Sequence, residues 1–479
     1  MLNIRHLVGA VLLFHNGLIK ILTESEDFYE LEKRVSELCQ KVSSQMLEWV
    51  LEQMDLNLMN ARDRETWEVV GFREKRALCT FGEFTYRRRL YRNKETGETK
   101  FFLDELLGWP AHAKITPRLR EIAVKLSTEM SFRRVADMLS QLFPTMSFMT
   151  VWKAKEEIGI EIQQDSEEKR KAVFERGESP KGEKEAKVVN IEGDGVIVNL
   201  QRAEKKKGEI KHLVAYEGKR EIKKGRKELE NKVVISGMNE WAVMWEETYA
   251  KAGDIWAINR VEEINIGGDG EKGVKQGLEY FPGARYRLDP YHLSKNLIEA
   301  LWYDEETYSK VCEAIHEGNF EDTQEILKEA AVRTRGERRK RILKLLGYLK
   351  DNWEGIVNSP AAERLGTIEG QIQHNVARRM KRRGARWSES GADRMTRILA
   401  EKANGKLEEY AMRWPMKQKK IKEIVTEIAQ TEEKKKAKVE DIEKWLKVSL
   451  PILNGPHASK PWIKYVLKEL SRSNFSAMI

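Results

Sequence analysis

Two aspartates lie beside glycines at the ends of segments rich in Val and Ile: Asp194 in Ile191–Val196 and Asp269 in Ile266–Gly270. Cleavage of a phosphodiester by two divalent metal ions needs carboxylates that converge on the ions and room for a phosphate to approach. The neighbouring glycines leave that room. A single Asp-Gly pair is most simply interpreted as a turn. Two such pairs, each after a strand-like segment, favour a metal site instead.

Glu369 is the candidate for a third carboxylate, because it lies in the first turn of a segment with helical periodicity. The apolar residues of that segment recur every fourth position: Ile368, Ile372, Val376 and Met380. This line can be buried against a sheet, which puts Glu369 beside it. Stabilisation of the helix dipole is the alternative explanation for an acid at this position. If Glu369 is not the third acid, Glu363 or Glu389 is the next candidate.

Asp194, Asp269 and Glu369 are therefore predicted to be the catalytic residues and the metal ligands, and to hold two Mg²⁺ or Mn²⁺ ions. Ions bound in this way support direct attack on a phosphodiester by a water or by a terminal 3′-hydroxyl. No covalent intermediate on the protein is needed.

The segments around these acids predict a sheet interleaved with helices. Strands are predicted at 187–200, 209–216 and 232–235, then a helix at 239–250, a strand at 261–266, a helix at 270–281 and a strand at 284–288. Three consecutive strands followed by helix, strand, helix and strand is the element order of the RNase H-like fold. We therefore predict an RNase H-like α/β catalytic domain over 186–410, with a charged helical insertion at about 293–360.

The remaining segments predict an α+β multi-domain protein. Helical periodicity covers an N-terminal arm at 1–60, and alternation of apolar and polar residues indicates a small β-rich segment at 61–112. A helix-turn-helix-like domain at 113–160 and a linker helix at 161–185 are predicted to precede the catalytic domain. A charged helical C-terminal tail follows at 411–479.

The helix-turn-helix-like domain is a candidate for DNA recognition. Ser147 is a residue type that caps helices, and the helix after it carries small polar and basic residues in its first turns. Three of these are predicted to face a groove of DNA: Thr150, Lys153 and Lys155. The alternative is an ordinary three-helix packing unit, because short capped helices are common in proteins that do not bind DNA.

Lys and Arg number 86 against 77 for Asp and Glu, which gives a net charge of +9 and a pI near 9.1. This balance favours a polyanionic partner. Two arginine-rich runs are predicted to contact DNA phosphates: Arg87, Arg88 and Arg89 in the β-rich segment, and Arg378, Arg379, Arg382 and Arg383 after Glu369. For each run, the alternative is a solvated surface rich in both charges.

The three cysteines, Cys39, Cys79 and Cys312, lie far apart, so neither a disulfide framework nor a zinc site is indicated. A reducing cytoplasm is the predicted location. The apolar run Leu2–Leu22 is interrupted by charged and polar residues, which favours an amphipathic helix over a signal or a membrane span.

The chain resembles bacterial insertion-sequence transposases of the ISLre type, which are related to the Mutator-like superfamily. The resemblance rests on four motifs: Asp194-Gly195, Gly268-Asp269-Gly270, Asp289-Pro290-Tyr291-His292, and Ile368-Glu369-Gly370 followed by Asn375. Three N-terminal motifs also match: Thr80–Glu83, Arg88–Arg92 and Phe102–Glu105. The resemblance covers most of the chain and thins after about Tyr410. It implies a DDE transposase that cuts and joins DNA strands at insertion-sequence ends.

The same resemblance implies double-stranded DNA as the partner, both as transposon terminal inverted repeats and as target. A homo-oligomer is expected in the active complex, associated with the nucleoid and not with a membrane. Asp289 and His292 match the Asp-x-x-His signature of Mutator-like enzymes and are predicted to be auxiliary residues that relay protons or orient DNA. A buried polar pair that fixes the end of a strand is the alternative.

Two other functions are compatible with the sequence. A chain whose catalytic domain has decayed would be a DNA-binding protein without activity, and a nuclease of the same fold would hydrolyse strands without joining them. The presence of all three acids argues against the first alternative. The predicted DNA-binding regions ahead of the catalytic domain argue against the second.

Overall fold

The computed structural model describes residues 4–110, 113–142, 146–358, 365–381 and 384–413, together with 456 and 459–461. The chain divides into two compact units. The first contains Met1–Met46, Arg76–Thr85 and Ala113–Trp414, and the second contains Leu47–Lys75, Tyr86–His112 and Pro415–Ile479. Some predicted features lie outside the described residues: Glu363, Arg382, Arg383 and most of the tail at 411–479.

The chain begins with two helices and a small sheet. These elements are α1 (Ile4–Glu24), α2 (Phe28–Ala61), β1 (Trp67–Cys79), β2 (Gly82–Asn93), β3 (Thr99–Lys100) and α3 (Phe102–Leu107). The sheet has the order β1-β2-β3, in agreement with the alternating pattern of this segment. In the second unit, the ring of Tyr91 stacks on that of Phe102 with centroids 4.0 Å apart, which packs α3 against β2.

Three helices of the first unit follow: α4 (Pro117–Ser127), α5 (Phe132–Leu142) and α6 (Phe148–Phe174). Ser147 caps α6 as predicted, because its side chain accepts the Thr150 N–H. The predicted boundary between a third helix and a separate linker helix is wrong, since α6 is continuous. Gly159 lies inside α6 without ending it. There it allows the close approach of Arg394, whose Cβ would be 2.6 Å from a Cβ at position 159.

Seven strands follow in the first unit: β4 (Val188–Asn199), β5 (Lys207–Tyr216), β6 (Lys219–Lys223), β7 (Arg226–Leu229), β8 (Val233–Gly237), β9 (Glu263–Gly268) and β10 (Arg285–Leu288). Five of them form a sheet in the order β10-β9-β4-β5-β8, and β6 pairs with β7 in a hairpin that the sequence did not predict. β5 is antiparallel to both β4 and β8. β9 is parallel to both β4 and β10.

Helices occupy most of the rest of this unit: α7 (Trp241–Gly253), α8 (Lys272–Lys275), α9 (Gly277–Tyr280), α10 (Pro290–Leu301), α11 (Glu305–His316), α12 (Phe320–Arg333), α13 (Gly336–Val357), α14 (Ile368–Ile372), α15 (Arg378–Met380), α16 (Glu389–Ala403) and α17 (Leu407–Met412). A π-helical turn, Gln373–Ala377, joins α14 to α15. The helical insertion is formed by α10 to α13. Of the helices in the described ranges, none combines the length and the apolar character that a membrane crossing requires.

The two faces of the five-stranded sheet are buried in different cores. Val189 and Ile191 of β4 pack in one core with Trp245 of α7 and Leu349 of α13. Val196 and Val198 of β4 pack in the other core, together with side chains of α14, α15 and α16. The four apolar residues after Glu369 are all buried in this second core: Ile368, Ile372, Val376 and Met380. Their burial confirms that this segment packs on the sheet.

Candidate active site

Asp194 lies inside β4, and Asp269 directly follows the neighbouring parallel strand β9. Glu192 of β4 pairs with Gly267 of β9, and Asp194 and Asp269 each lie two residues beyond this last pair. Residues two apart on a strand point to the same face, so Asp194 lies on the face of Glu192, next to the end of β9 from which Asp269 follows. The pairing of β4 with β9 therefore brings together the first two predicted acids.

Asp289 adds a further acid at the end of the third parallel strand, β10. Leu288 of β10 pairs with Gly268, and the Asp289 N–H donates to the Gly268 carbonyl at 2.8 Å. The Asp289 carboxylate accepts the Tyr291 N–H at 2.9 Å and so caps α10. Burial raises the pKa of Asp289. His292 Nε2 lies 4.0 Å from Asp289 Oδ2, so the predicted pair is adjacent, and Asp289 also fixes the start of α10.

Glu369 lies in the first turn of α14, and its side chain is exposed. The start of this helix is held by the buried carboxylate of Glu192, which belongs to β4. One oxygen of Glu192 accepts three backbone N–H groups at 2.8, 2.8 and 3.2 Å, from Gly366, Thr367 and Ile368. A carboxylate at a helix N-terminus satisfies donors that have no partner within the helix and is favoured by the helix dipole.

Sequence reasoning missed Glu192. The residue is 1% exposed, and its other carboxylate oxygen accepts the hydroxyl groups of Tyr216 and Thr367. The available signal was a glutamate inside an apolar strand, on the same face as Asp194 by the alternation of β4. Because one carboxylate joins β4 to the start of α14, Glu192 couples the position of Asp194 to that of Glu369.

Gly366 makes the entry into α14 possible. Its φ of +101° lies in the left-handed region that residues with a Cβ rarely adopt. A Cβ built at this position would lie 3.0 Å from Oδ1 of Asp289. The chain therefore passes close to Asp289 just before Glu369. Only glycine fits both the positive φ at position 366 and the short distance to the Asp289 carboxylate.

The three predicted acids share one electrostatic environment. Burial raises the pKa of Asp194 to about 6, an effect that the Gly195 N–H opposes. The charges of Asp269 and Glu369 contribute to this rise, and that of His292 opposes it. A half-buried group of like charges is stabilised by a bound cation, which removes the repulsion between them.

The donor set suits Mg²⁺ or Mn²⁺, since both ions prefer carboxylate oxygens. Across the described ranges, no three or more His, Cys, Asp or Glu side chains form a ready metal-binding group. Three observations therefore support ion binding by Asp194, Asp269 and Glu369. Their donor atoms are carboxylate oxygens, the pairing of β4 with β9 brings the two aspartates together, and the charges of Asp269 and Glu369 raise the pKa of Asp194.

The helical insertion contacts the backbone of the second aspartate. The hydroxyl of Tyr348 in α13 donates to the Asp269 carbonyl at 3.0 Å. Gly270 has a φ of +101°, and a Cβ there would lie 2.6 Å from Oδ1 of Asn352. Asp269 Oδ1 also accepts the Glu271 N–H at 2.8 Å, which orders the turn after β9. The insertion thus packs against the strand end that carries Asp269.

His212 is a further buried residue next to the acids that the sequence did not single out. It pairs with Asp194 in the register of β4 and β5. Burial lowers its pKa to about 3, so the ring is neutral. Its Nδ1 is 3.2 Å from Ser236 Oγ, and its Nε2 is 3.4 Å from Nδ2 of Asn375, in the segment that continues α14. The ring therefore links β5, beside Asp194, to the segment after Glu369.

The arginines predicted to bind DNA in the second unit have different surroundings. Arg88 and Arg89 are largely buried in ion pairs, Arg88 with Asp104 and Arg89 with Asp55. Both guanidinium groups are paired with carboxylates of the same unit, so their positions do not support the prediction that they contact DNA. Arg87 is exposed and lies over the ring of Phe72 at 4.9 Å.

Two of the predicted contacts in the first unit are also interior. Lys155 of α6 is 1% exposed and pairs with Glu156. Arg379 donates to the Ser127 carbonyl at 2.7 Å, and burial lowers its pKa to about 10. Thr150 belongs to the cap of α6, where its N–H and hydroxyl contact Ser147.

Two predicted DNA contacts of the first unit keep exposed side chains: Lys153 and Arg378. Arg382 and Arg383 lie outside the described residues. The described part of this unit therefore leaves two of the predicted basic side chains available to a partner.

A family model described as "Uncharacterised protein family (UPF0236)" matches residues 21–420. The UPF0236 protein TTE2489 of Caldanaerobacter subterraneus subsp. tengcongensis is 28% identical over 391 residues, which cover 80% of this chain and 80% of the relative. The "UPF0236 protein in vanSb 3'region" of Streptococcus gallolyticus is 28% identical over 411 residues, which cover 82% of this chain and 86% of the relative. Because the family model matches well over half of its length, the chain belongs to the UPF0236 family.

Proposed function

We propose that this chain is a DDE transposase that cuts and joins DNA strands at the ends of an insertion sequence. The observation that carries the proposal is the position of Asp194 on β4 next to Asp269 at the end of the parallel strand β9, with Glu369 on a helix packed against the same sheet. Their mutual influence on the pKa of Asp194 supports a common site.

The strand arrangement supports an RNase H-like catalytic domain. Three antiparallel strands, β8, β5 and β4, continue into two parallel strands, β9 and β10, and the acids lie at the carboxyl ends of the parallel part. This order, together with the motifs around Asp194, Asp269 and Glu369, supports a relationship to ISLre-type transposases and the Mutator-like superfamily.

The name of one relative also supports a mobile element. A UPF0236 protein of Caldanaerobacter subterraneus subsp. tengcongensis carries a name that joins eleven locus designations of one strain. A second name of the same kind joins four. A sequence present at many loci of one genome is expected of an element that copies or moves itself.

Asp194, Asp269 and Glu369 would hold two Mg²⁺ or Mn²⁺ ions, which activate the attacking hydroxyl and stabilise the leaving oxygen when bound. Glu192 orients the start of α14, so that Glu369 is presented towards the strand ends. Tyr348 holds the carbonyl of Asp269.

Small and titratable residues complete the site. Gly195 and Gly270 let the side chains of Glu209 and Asn352 pack close to the two aspartates, because a Cβ at either glycine would lie within 2.6 Å of one of those side chains. His292 lies beside Asp289, with Nε2 4.0 Å from Oδ2, and an imidazole at this place can carry a proton close to the acids. The chain thus provides carboxylates and a proton carrier, which are groups that phosphodiester cleavage and joining use.

Double-stranded DNA is the proposed partner, as terminal inverted repeats and as target, and the active complex is proposed to be a homo-oligomer. The net charge of +9 and the exposed Lys153 and Arg378 support a polyanionic partner.

The test is cleavage and joining of a duplex that carries the inverted repeats flanking the reading frame. Asp194→Asn, Asp269→Asn and Glu369→Gln should each abolish both reactions while binding of the duplex is kept. Glu305→Gln, an exposed acid of α11, is the matched control and should leave both reactions unchanged. Chelation of divalent metal should stop the reaction, and added Mg²⁺ should restore it.

The outcomes separate the alternatives. Cleavage without joining would identify a nuclease, and binding by the wild-type chain without cleavage would identify a decayed enzyme. Wild-type cleavage by Glu369→Gln would remove Glu369 from the site and would move the test to Glu389 and Glu363.

A further inference from the structure

Helix α13 runs along β10 and passes Asp269, and its N-terminal half lies beyond this contact. Gly355, near the C-terminal end of α13, packs against Tyr286 and Leu288 within β10. Tyr348, two turns earlier, contacts Asp269 at the carboxyl end of β9. From Gly355 back to Tyr348, the helix therefore runs towards the edge of the sheet that carries the acids. The preceding turns continue beyond that edge.

Two basic residues lie on the same flank of α13 as Tyr348. Lys344 and Arg341 precede Tyr348 by four and seven residues, which are the spacings that keep side chains on one helix face. At about 1.5 Å per residue, they lie about 6 and about 10 Å along the helix from Tyr348. Both side chains are exposed. The flank is therefore a short basic track that begins beside Asp269.

The charges of this track are available to a partner. Within the part of the chain that the structure describes, neither Arg341 nor Lys344 has an ion-pair partner. Other exposed lysines of the insertion do have one, as in the pairs Lys310–Glu306 and Lys340–Glu337. Since the adjacent acids repel a phosphate backbone, a DNA strand that reaches them needs basic groups next to them.

We propose that Arg341 and Lys344 bind phosphates of the DNA strand that enters the acidic site, so that the helical insertion is part of the substrate-binding surface. This inference rests on the proposed function, because it takes DNA as the substrate. Phosphate contacts of this kind position DNA without selecting its sequence.

The test compares two double variants of the full chain that remove the same charge from opposite flanks of α13. Arg341→Ala/Lys344→Ala removes the track. Arg339→Ala/Lys350→Ala is the matched control, because both residues are exposed and lie on the side of the helix away from Tyr348. Affinity for a short duplex of arbitrary sequence is measured across a salt series, and thermal unfolding checks that both variants are folded.

Loss of two phosphate contacts should reduce the salt slope of binding by about 1.8, since each contact contributes about 0.9. The control pair should keep the wild-type slope. Equal losses in the two variants would mean that only net charge matters, and would overturn the inference. If the wild-type chain binds and cuts DNA but the track variant keeps its slope, the inference alone fails. If the wild-type chain does not bind duplex DNA even at low salt, the proposed function fails as well.

Discussion

Glu192 of β4 accepts the backbone N–H of Ile368, 176 positions later in the chain, at 3.2 Å, immediately before Glu369. This bond and those to the N–H groups of Gly366 and Thr367 place a buried carboxylate under the first turn of α14. The helix that carries the third acid is thereby fixed to the strand that carries the first.

Replacement of Glu192 by Gln should therefore lower both stability and cleavage. Hydrogen bonds to a charged group contribute more than neutral ones, so we expect a loss of about 2 kcal/mol in the free energy of unfolding. Urea denaturation measures this loss, and single-turnover cleavage measures the effect on the reaction. Glu305→Gln on the exposed face of α11 should change stability by less than about 0.5 kcal/mol. Equal stability of the two variants would contradict a positioning role for Glu192.

Gly366→Ala should destabilise the protein, because the left-handed backbone costs a residue with a Cβ about 1–2 kcal/mol and the added Cβ meets Asp289. Gly370→Ala is the matched control within α14. No atom lies within 4 Å of a Cβ at that position, and alanine favours a helix interior by about 0.5–1 kcal/mol. The two substitutions should thus have opposite signs in thermal unfolding. A stabilising Gly366→Ala would be incompatible with the described entry into α14.

Asp269→Glu should reduce cleavage strongly while binding of DNA is kept. The substitution retains the charge but moves the carboxylate by one methylene, and a displacement of about 1 Å at a reacting centre can cost about 100-fold in rate. Asp351→Glu, at an exposed position of α13, is the control and should cleave at the wild-type rate. Single-turnover rates at saturating Mg²⁺ separate the two, and similar rates would argue against Asp269 as a ligand.

Lys153→Ala and Lys155→Ala should affect different properties although they lie two residues apart on α6. Lys153 is exposed, so its loss should leave stability within about 0.5 kcal/mol and reduce the salt slope of DNA binding by about 0.9. Lys155 is buried beside Glu156, and breaking a buried ion pair costs about 3 kcal/mol. Urea denaturation and a salt series on both variants check this. A destabilising Lys153→Ala would count against the proposed contact.

Local sequence determined the elements that carry the acids. The Val- and Ile-rich segments before Asp194 and Asp269 become β4 and β9, and the apolar line from Ile368 to Met380 is buried on the sheet as its spacing predicts. The Ser147 cap was also readable from the sequence. These features depend on neighbours a few residues away, so that periodicity and residue type suffice to predict them.

Only the tertiary structure decided which side chains surround the acids and which remain at the surface. Lys153 and Lys155 look alike in the sequence, but contacts from distant segments bury Lys155. In the sequence, Gly159 is a residue type that often ends a helix. In the structure it lies inside α6, where the close approach of Arg394 leaves no room for a Cβ. Glu192 resembles any strand glutamate, because the backbone N–H groups that it binds lie more than 170 positions away. The physical reason is that burial and ion pairing are set by long-range packing, which one-dimensional periodicity does not encode.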